Sequence, residues 1–297
     1  MIPSKILKRL RVTPGRRVKL RKCPTDHVAG FSGTPLGEEA LKNRALEILG
    51  KRRGELSSAQ ELLYANGTYA VLLIFQAMDA GGKDGTIRHV MSGVNPQGCQ
   101  VFSFKRPSEE ELKHNFLWRC SKSLPERGRI GIFNRSYYED VLVAKVHPDR
   151  VDARLSEKPG KKFWANRYED INNFEKHLYR NGTLILKFFL HLSKKEQKKR
   201  FLERLTDPAK NWKYSSADMA ERAYWKQYQR AFEDALTETS TKHAPRHVIP
   251  ADDKHVAHAL VAEFVVKAIQ DLGLRTPTLP KNERAALRAA RKQLAKV

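Results

Sequence analysis

Cysteine is scarce in this chain, with three in 297 residues, at Cys23, Cys99 and Cys120. An odd number at such wide spacing predicts neither a disulfide framework nor a zinc site built on cysteine pairs, so we expect reduced thiols. Long apolar runs are lacking too. None approaches the roughly 20 residues of a membrane span, and no apolar block of a signal peptide follows the basic residues 1–22. We therefore expect a cytoplasmic protein that does not contact a membrane.

Acidic residues are few relative to basic ones. The chain has 33 Asp and Glu against 56 Lys and Arg, a formal net charge of +23. A field of this sign concentrates polyanions such as nucleic acid, anionic lipid or polyphosphate near the surface. Part of the charge lies in a predicted basic arm, residues 1–33, and a predicted basic tail, residues 276–297. Each of them either binds a polyanion or is simply solvated.

Five short apolar or β-branched runs alternate with amphipathic stretches. The runs predict strands over residues 71–75, 101–104, 130–133, 184–190 and 247–249. The amphipathic stretches predict helices over residues 34–66, with an interruption near Gly54, and over residues 86–93, 108–121, 163–180, 193–205, 217–236 and 253–272. Strands that alternate with helices predict one α/β domain, residues 34–275, with a five-stranded parallel sheet. Ligands of such sheets bind at the carboxyl ends of the strands.

The segment Phe75–Thr86 joins the first strand to a helix. Its glycine-rich part, residues 79–86, is called the phosphate loop below. Glycines there predict a turn whose backbone NH groups hold phosphate oxygens at the start of a helix, while Lys83 adds a cation. The match to the common P-loop pattern is imperfect, because Ala77 and Asp84 stand where that pattern has Gly and Ser or Thr. An ordinary strand-to-helix turn is the alternative.

Polar side chains also follow the strand predicted over residues 130–133. They are Asn134, Arg135, Glu139 and Asp140, at the position where P-loop enzymes usually place an acid that handles metal. The alternative for the two acids is a stabilising interaction with the N-terminal end of a helix. In a parallel sheet the carboxyl ends of the strands meet at one edge, so we expect Asp79, Lys83 and Asn134 to lie on one rim of the sheet.

A strongly basic segment, residues 193–216, is called the lid segment below. Its predicted helix places Arg200 and Arg204 four residues apart on one face, and we expect Phe201, Leu202 and Leu205 to anchor that helix. Two guanidinium groups on one face suit phosphate oxygens. A basic lid can neutralise transferred phosphate and exclude water. A solvated surface helix is the competing interpretation.

Ordered motifs at defined spacing extend between the two basic terminal segments. They are Met78–Ile87, Met91–Gly98, Phe116–Arg119, Leu124–Gly128, Phe133–Asp140, Asp207–Lys213 and Ile249–Lys254. In these motifs the chain resembles the family-2 polyphosphate kinases. The resemblance implies a P-loop kinase-like three-layer α/β/α sandwich with a helical lid, which moves phosphoryl groups between inorganic polyphosphate and nucleotides. It also implies Mg²⁺ as the cofactor, with Mn²⁺ as an alternative.

The resemblance implies a role for each site residue. The catalytic residues would be Asp79, Lys83, Asn134, Arg135 and Glu139, of which Asp79 and Glu139 hold metal. Phosphate and polyphosphate would be bound by Ala80, Gly81, Gly82, Lys83, Asp84, Gly85 and Thr86 in the phosphate loop, and by Arg200, Arg204, Lys210 and Lys213 in the lid segment. Two departures from the family pattern are Ala77, commonly Gly, and Tyr137, commonly His.

The pair Asn134 and Glu139 resembles the third class of this family, since most subgroups have Asp and Asn at these places. The resemblance to that class implies that both AMP and ADP are accepted and that ATP forms, with GMP and GDP as further candidates. We expect a homodimer or homotetramer. An ATP-dependent kinase of the same fold is one alternative. A nucleic-acid-binding protein with a vestigial loop is the other, but no RNP aromatics, zinc finger or recognition helix is found, so we expect no specific nucleic-acid partner.

Overall fold

The computed structural model describes residues 2–26, 36–152 and 154–295. Parts of three predicted segments lie outside the described residues. They are residues 1 and 27–33 of the predicted arm, residues 34–35 of the first predicted helix, and residues 296–297 of the predicted tail. Among the described residues, no helix is long and apolar enough to cross a membrane.

The strands are β1 (Ala70–Ala77), β2 (Cys99–Ser103), β3 (Ile130–Asn134), β4 (Thr183–His191) and β5 (Arg246–Pro250). The helices are α1 (Ser4–Leu10), α2 (Glu38–Asn66), α3 (Lys83–Val90), α4 (Glu109–Leu112), α5 (Trp118–Ser121), α6 (Glu139–Val146), α7 (Lys161–Arg180), α8 (Lys194–Thr206), α9 (Ser216–Glu221), α10 (Trp225–Glu238), α11 (Lys254–Gln270) and α12 (Lys281–Leu294). All five predicted strands are confirmed.

The five strands form one parallel sheet in the order β2-β3-β1-β4-β5. Strand β1 lies at its centre, and Val71, Leu72, Leu73 and Ile74 are fully buried. Helices α2, α3 and α11 contact one another on one face, and α6, α7 and α10 on the other. Both faces of a parallel sheet must be covered, which is why β1 reads as a continuous apolar run. The predicted three-layer fold is confirmed.

Several helical predictions need correction. Helix α2 is not interrupted near Gly54, and the helix predicted over residues 217–236 is two helices, α9 and α10, separated by a 3-10 turn at Arg222–Tyr224. The helix predicted over residues 108–121 is two short helices, α4 and α5. Helix α4 begins with a capping box in which Ser108 and Glu111 bond each other's backbone NH groups, but it ends after one turn. Asn115 then accepts a hydrogen bond from the backbone NH of Leu117, a local bond that competes with a continuous helix. Helix α6, which begins at Glu139, was foreseen only as an alternative for its acid pair.

The N-terminal segment, residues 2–26, packs on the domain instead of extending into solvent. Ile2, Ile6, Leu7 and Leu10 are all buried. Farther along, the backbone NH of Val12 donates to the carbonyl oxygen of Arg246 in β5 at 2.9 Å. The segment is therefore docked and is not a free arm, while its basic side chains are exposed, so the choice between binding a polyanion and simple solvation stays open. Its basic side chains are carried on a segment anchored by its own apolar residues.

The C-terminal segment behaves differently. Every described residue of α12 is exposed, including Leu287 and Leu294. The predicted domain limits at residues 34 and 275 stay predictions, since the first falls among residues outside the described part of the chain.

Candidate active site

The phosphate loop connects the carboxyl end of β1 to the start of α3. Two of its residues adopt the left-handed backbone conformation, Ala80 with a φ of 58° and Gly82 with a φ of 89°. A Cβ atom on Gly81 would lie 2.5 Å from the Cβ of Ala77 and 2.7 Å from the carbonyl oxygen of Met78. Only glycine fits there, because real Cβ contacts are longer than 3 Å. Ala77, the departure from the usual pattern, thus packs directly on the glycine that shapes the turn.

Lys83 begins helix α3 and lies within the loop. Its Nζ donates to the carbonyl oxygen of Ala77 at 3.3 Å. Burial lowers the pKa of Lys83, with the neighbouring Arg135 acting in the same direction, while Asp79, Glu139 and Asp84 oppose the shift. A buried ammonium among these groups is positioned to meet further negative charge.

The end of β3 lies beside the loop, as the parallel sheet predicts. Phe75 in β1 pairs in register with Asn134 in β3. The side-chain Nδ2 of Asn134 donates to Oδ1 of Asp84 at 2.5 Å. The predicted common rim of Asp79, Lys83 and Asn134 is therefore confirmed, and Asn134 faces the first turn of α3.

Arg135 lies between the two carboxylates expected to hold metal. Its Nη2 is 3.4 Å from Oδ1 of Asp79, and its Nη1 is 3.8 Å from Oε2 of Glu139. Its φ of 66° is in the left-handed region, which is costly for a side chain with a Cβ. A backbone bond from the Arg135 NH to the carbonyl oxygen of Phe75 at 3.0 Å helps to hold this conformation. The geometry collects two carboxylates around one guanidinium at the mouth of the loop.

The donor set of this pair fits Mg²⁺. Asp79 and Glu139 offer carboxylate oxygens, and Mg²⁺ is usually held by one or two carboxylates together with phosphate oxygens and water. The described residues contain no cluster of three or more His, Cys, Asp or Glu side chains with metal-binding geometry. A metal here would therefore take part of its coordination from substrate phosphates.

The lid segment contacts the phosphate loop through the first half of α8. Arg200 donates from Nη1 to the carbonyl oxygen of Ala80 at 3.0 Å and from Nη2 to the carbonyl oxygen of Ala251 at 2.6 Å. Gln197 donates from Nε2 to the carbonyl oxygen of Asp79 at 2.9 Å. The backbone of the loop is thus bonded to α8 at two consecutive residues.

The other predicted lid cations do not contact the loop. Arg204 donates to Oδ2 of Asp218 at 3.2 Å and to the carbonyl oxygen of Lys213 at 3.3 Å. The Nζ of Lys210 lies 3.1 Å from a carboxylate oxygen of Asp207. Lys213 places its ammonium 5.0 Å from the ring centroid of Trp212, a side chain that is 78% exposed. Of the four predicted lid cations, the structure brings Arg200 to the loop.

One packing prediction for α8 is partly wrong. Phe201 is buried, as expected of an anchor, but Leu202 and Leu205 are each about half exposed. Helix α8 buries only Gln197 and Phe201, so its apolar contact with the domain is narrow.

Gln76 and Gln197 were missed by the sequence analysis. Gln76 lies in β1 with only 1% of its surface exposed, and its Nε2 donates to Oε1 of Glu139 at 3.1 Å. A polar side chain inside an otherwise apolar strand was the available signal for Gln76, because buried amides need partners. Nothing in the sequence distinguishes Gln197 from the other polar residues of the lid segment.

Comparison with known proteins places these motifs in a family. The sequence model of the family described as "Polyphosphate kinase 2 (PPK2)" matches residues 40–276. The chain belongs to the polyphosphate kinase 2 family. The resemblance seen in its motifs is thereby confirmed.

Two relatives and one crystal structure show how far the similarity of this polyphosphate kinase 2 family member extends. It is 51% identical to the "ADP-polyphosphate phosphotransferase" of Rhodopseudomonas palustris over 97% of this chain and 98% of the relative. It is 44% identical to the "AMP/ADP-polyphosphate phosphotransferase" of Meiothermus ruber over 91% of this chain and 96% of the relative. The crystal structure of polyphosphate kinase 2 from Arthrobacter aurescens matches with a TM-score of 0.83 at 38% identity, covering 95% of this chain and 96% of that one.

In this polyphosphate kinase 2 family member a cavity of about 370 Å³ is lined in part by Asp140 and Ala144 of α6, and no residue of the phosphate loop lines it. It is called the Asp140 cavity below, and its lining includes Phe116, Arg119, Asp140, Phe163, Asn166 and Arg167. Burial raises the pKa of Asp140 to about 6, although Arg119 and Arg167 pull it down. The sequence analysis named Phe116 and Arg119 only as part of a motif and gave the cavity no function.

Tyr137, the second departure from the expected family pattern, is fully buried in the core. Its hydroxyl donates to Oε1 of Glu175 at 2.9 Å, and the hydroxyl of Tyr138 donates to the same oxygen at 2.7 Å. Lys187 in β4 forms an ion pair with Glu175, and both side chains are completely buried. Burial lowers the pKa of Lys187. This buried network holds the turn between Arg135 and Glu139 from its core side. Tyr137 therefore supports the active site and does not line it.

Proposed function

We propose that this protein transfers the terminal phosphoryl group of inorganic polyphosphate to ADP and to AMP, and that the transfer is reversible. The observation that carries the proposal is the position of Arg135 between Asp79 and Glu139, directly beside Lys83 and the phosphate loop. Enzymes that transfer phosphoryl groups use cations and metal-binding carboxylates placed together at one phosphate-binding loop. The names of the relatives from Rhodopseudomonas palustris and Meiothermus ruber support polyphosphate as donor and these nucleotides as acceptors.

The residues act mainly by positioning charge. Backbone NH groups at the start of α3 and the ammonium of Lys83 hold the oxygens of the polyphosphate end. Arg135 neutralises the phosphoryl group as it passes in line from donor to acceptor, a transition state that needs little covalent chemistry from the protein. We infer Mg²⁺, with Mn²⁺ as a substitute, held by Asp79 and Glu139. The metal would neutralise charge on the reacting phosphates.

The Asp140 cavity is the acceptor site in this proposal. It begins at the residue after Glu139 and is lined by Arg119, Arg167 and Phe116. The guanidinium of Arg167 lies 4.1 Å from the centroid of the Phe116 ring, so a base would stack on this cation-aromatic pair and not on the ring alone. Guanidinium groups bind phosphate or stack on a base, and an aromatic ring supports the flat base. The amide of Asn166 and the carboxyl of Asp140 supply hydrogen-bonding groups for a base edge, which suits adenine and also guanine.

One experiment tests the proposal. Purified protein is incubated with Mg²⁺, ADP and long-chain polyphosphate, without another phosphoryl donor, and ATP is measured; AMP then replaces ADP. We expect ATP from ADP and ADP from AMP. The variant Lys83→Ala should lose at least about a hundredfold in turnover, the effect of losing one preorganised charge. Lys292→Ala, which removes an exposed cation from α12, is the matched control and should retain full activity.

Three outcomes would contradict the proposal. Phosphoryl transfer from ATP with none from polyphosphate would favour an ATP-dependent kinase of the same fold. Tight nucleic-acid binding with no transfer from either donor would favour the binding protein. Normal activity of Lys83→Ala would remove the loop from the mechanism. We further infer a cytoplasmic homodimer or homotetramer, which light scattering of the purified protein would test.

A further inference from the structure

A cavity with a cationic lining lies on the side of the domain formed by the N-terminal segment. It has a volume of about 590 Å³ and opens between α1, the residues around Cys23 and the edge strand β5. It is called the basic cavity below. Its cationic lining residues are Lys5, Lys8, Arg9, Arg11, Arg16 and Lys22. Among the described residues that line it, none is acidic.

The basic cavity has a fixed framework. Helix α1 turns Ile6, Leu7 and Leu10 into the core, so its cations are held on the opposite, exposed face. Farther along, the backbone NH of Leu20 donates to Oε1 of Glu233 at 2.7 Å. The cations thus project from an anchored backbone, so ligand binding orders their side chains but need not order the segment itself.

Repulsion among the cations around the basic cavity destabilises the N-terminal segment when no ligand is bound. Lys5 and Arg9 are four residues apart on α1, a spacing at which like charges destabilise a helix. The negative end of the helix dipole favours Lys8 and Arg9 in the last turn, but it gives no such benefit to Lys5, Arg16 or Lys22. Six cations around one cavity therefore indicate a polyanionic ligand that neutralises them.

The basic cavity is connected to the active site through the end of β5. Three residues after Lys22, the carbonyl oxygen of Thr25 accepts a hydrogen bond from the backbone NH of Asp252 at 2.7 Å. The carbonyl oxygen of Asp252 in turn accepts from Nη2 of Arg200 at 3.1 Å. Arg200 also bonds Ala80 of the phosphate loop. The chain segment beside this cavity is thus hydrogen-bonded, through Asp252 and Arg200, to the phosphate loop.

We infer that the basic cavity binds the distal part of a long polyphosphate chain while its end lies in the phosphate loop. This inference rests on the proposed function, since it assigns a second contact to the same donor. Binding at two connected places raises the local concentration of the chain, so a long chain is held more tightly than a short one. A chain too short to reach the cavity gains nothing.

The test compares chain lengths in the full-length enzyme. The variant Lys5→Gln/Arg9→Gln/Arg16→Gln neutralises three cavity cations, none of which contacts the active site. The control Arg288→Gln/Arg291→Gln/Lys292→Gln removes the same charge from the exposed helix α12. ATP formation from ADP is measured with long-chain polyphosphate and with the shortest oligophosphate that supports turnover. We expect the cavity variant to raise KM for the long chain about tenfold, the scale of three lost phosphate contacts.

The short chain should keep its KM and kcat in both variants, and the control should keep the long-chain KM. The charge-preserving variant Lys5→Arg/Arg9→Lys/Arg16→Lys should restore long-chain binding, which separates charge from folding. An unchanged long-chain KM in the cavity variant would overturn the inference. An equal increase in KM for the long and the short chain would also overturn it. So would an equal increase in the long-chain KM for the cavity variant and the control. Single-stranded RNA that binds wild type more tightly than polyphosphate, and loses that binding in the cavity variant, would also overturn it. An inactive wild type would instead contradict the proposed function.

Discussion

Arg200 donates from Nη1 to the carbonyl oxygen of Ala80 at 3.0 Å, across the junction between the lid segment and the phosphate loop. Its Nη2 reaches the carbonyl oxygens of Ala251 and Asp252, and its Nε reaches a carboxylate oxygen of Glu196. Most of its five N–H donors are therefore used within the protein. In this arrangement Arg200 holds the loop backbone in place, and phosphate binding by Arg200 stays a prediction.

Replacement of Arg200 should therefore disturb the loop. We expect Arg200→Ala to lower kcat by about tenfold to a hundredfold, because misplaced loop NH groups no longer meet the phosphates. Arg200→Lys should recover little, since a single ammonium cannot replace a forked guanidinium. Arg204→Ala, four residues on, removes a cation bonded to Asp218 and serves as the control. Steady-state kinetics check this, and equal effects of the two alanine variants would contradict it.

Acceptor choice should depend on the pair Asn134 and Glu139. Asn134 donates to Asp84, so a carboxylate at position 134 would face another carboxylate and attract a metal there. We expect the double variant Asn134→Asp/Glu139→Asn to reduce turnover of AMP relative to ADP by about tenfold, because the metal moves away from the shorter nucleotide.

The single variant Asn134→Asp is the control for this exchange. With Glu139 still in place, it should lose activity on both nucleotides without changing their ratio. The ratio of initial rates with AMP and ADP at saturating polyphosphate is the measurement. An AMP rate that survives the double exchange intact would show that these positions do not set acceptor choice.

Stability should depend on the ionisation of Asp140. Burial raises the pKa of this carboxyl from 3.8 to about 6 in the folded protein. The folded state thus binds the proton more tightly than the unfolded chain, and ionisation of Asp140 destabilises the fold above pH 6. Asp140→Asn should increase the free energy of unfolding by about 1–3 kcal/mol near neutral pH. That gain should disappear as the pH falls from about 6 to about 4.

Urea unfolding at several pH values measures this difference. Asp170, exposed on the wall of the same cavity, provides the control, and Asp170→Asn should not give the gain in stability at neutral pH that is expected of Asp140→Asn. If Asp140 also contacts the acceptor, the stabilised Asp140→Asn variant should show a raised KM for ADP. A gain at pH 7 that persists unchanged at pH 4 would contradict the assignment.

Substitutions in the buried network around Glu175 should lower the free energy of unfolding by different amounts. Tyr137→Phe removes one of several hydrogen bonds to Glu175 and should cost about 1 kcal/mol. Glu175→Ala leaves Lys187 buried without its partner and should cost about 3–5 kcal/mol. Tyr179 is an exposed residue of α7, the helix that also carries Glu175. Tyr179→Phe removes its hydroxyl and should leave the free energy of unfolding unchanged. Equal costs for Tyr137→Phe and Glu175→Ala, measured by urea unfolding, would contradict this order.

The sheet and the rim of the site were predictable because both follow from local pattern. Apolar runs locate parallel strands, and parallel strands bring Asp79 and Asn134 to one edge whatever their separation in sequence. The contacts of Gln197 were not predictable, since a neutral amide acquires a role only when the fold places it beside a backbone carbonyl. Leu202 was misassigned because helical spacing alone does not tell which face meets the domain.

The docking of α1 on the domain could have been predicted from the sequence. Ile2, Ile6 and Leu10 recur at helical spacing, but the many cations between them favoured the interpretation as an arm. Composition describes the average of a segment, whereas the burial of every third or fourth residue depends on their order.

The hydrogen bond between Val12 and Arg246 also bears on the order of folding. During synthesis residues 2–26 leave the ribosome before the strand edge that receives them, which is made more than two hundred residues later. Domains of this size fold as the chain emerges, and pairing of distant segments is slow. Residues 2–26 therefore remain undocked until β5 has been made. This cationic segment is made well before β5 and is among the last to reach its native position.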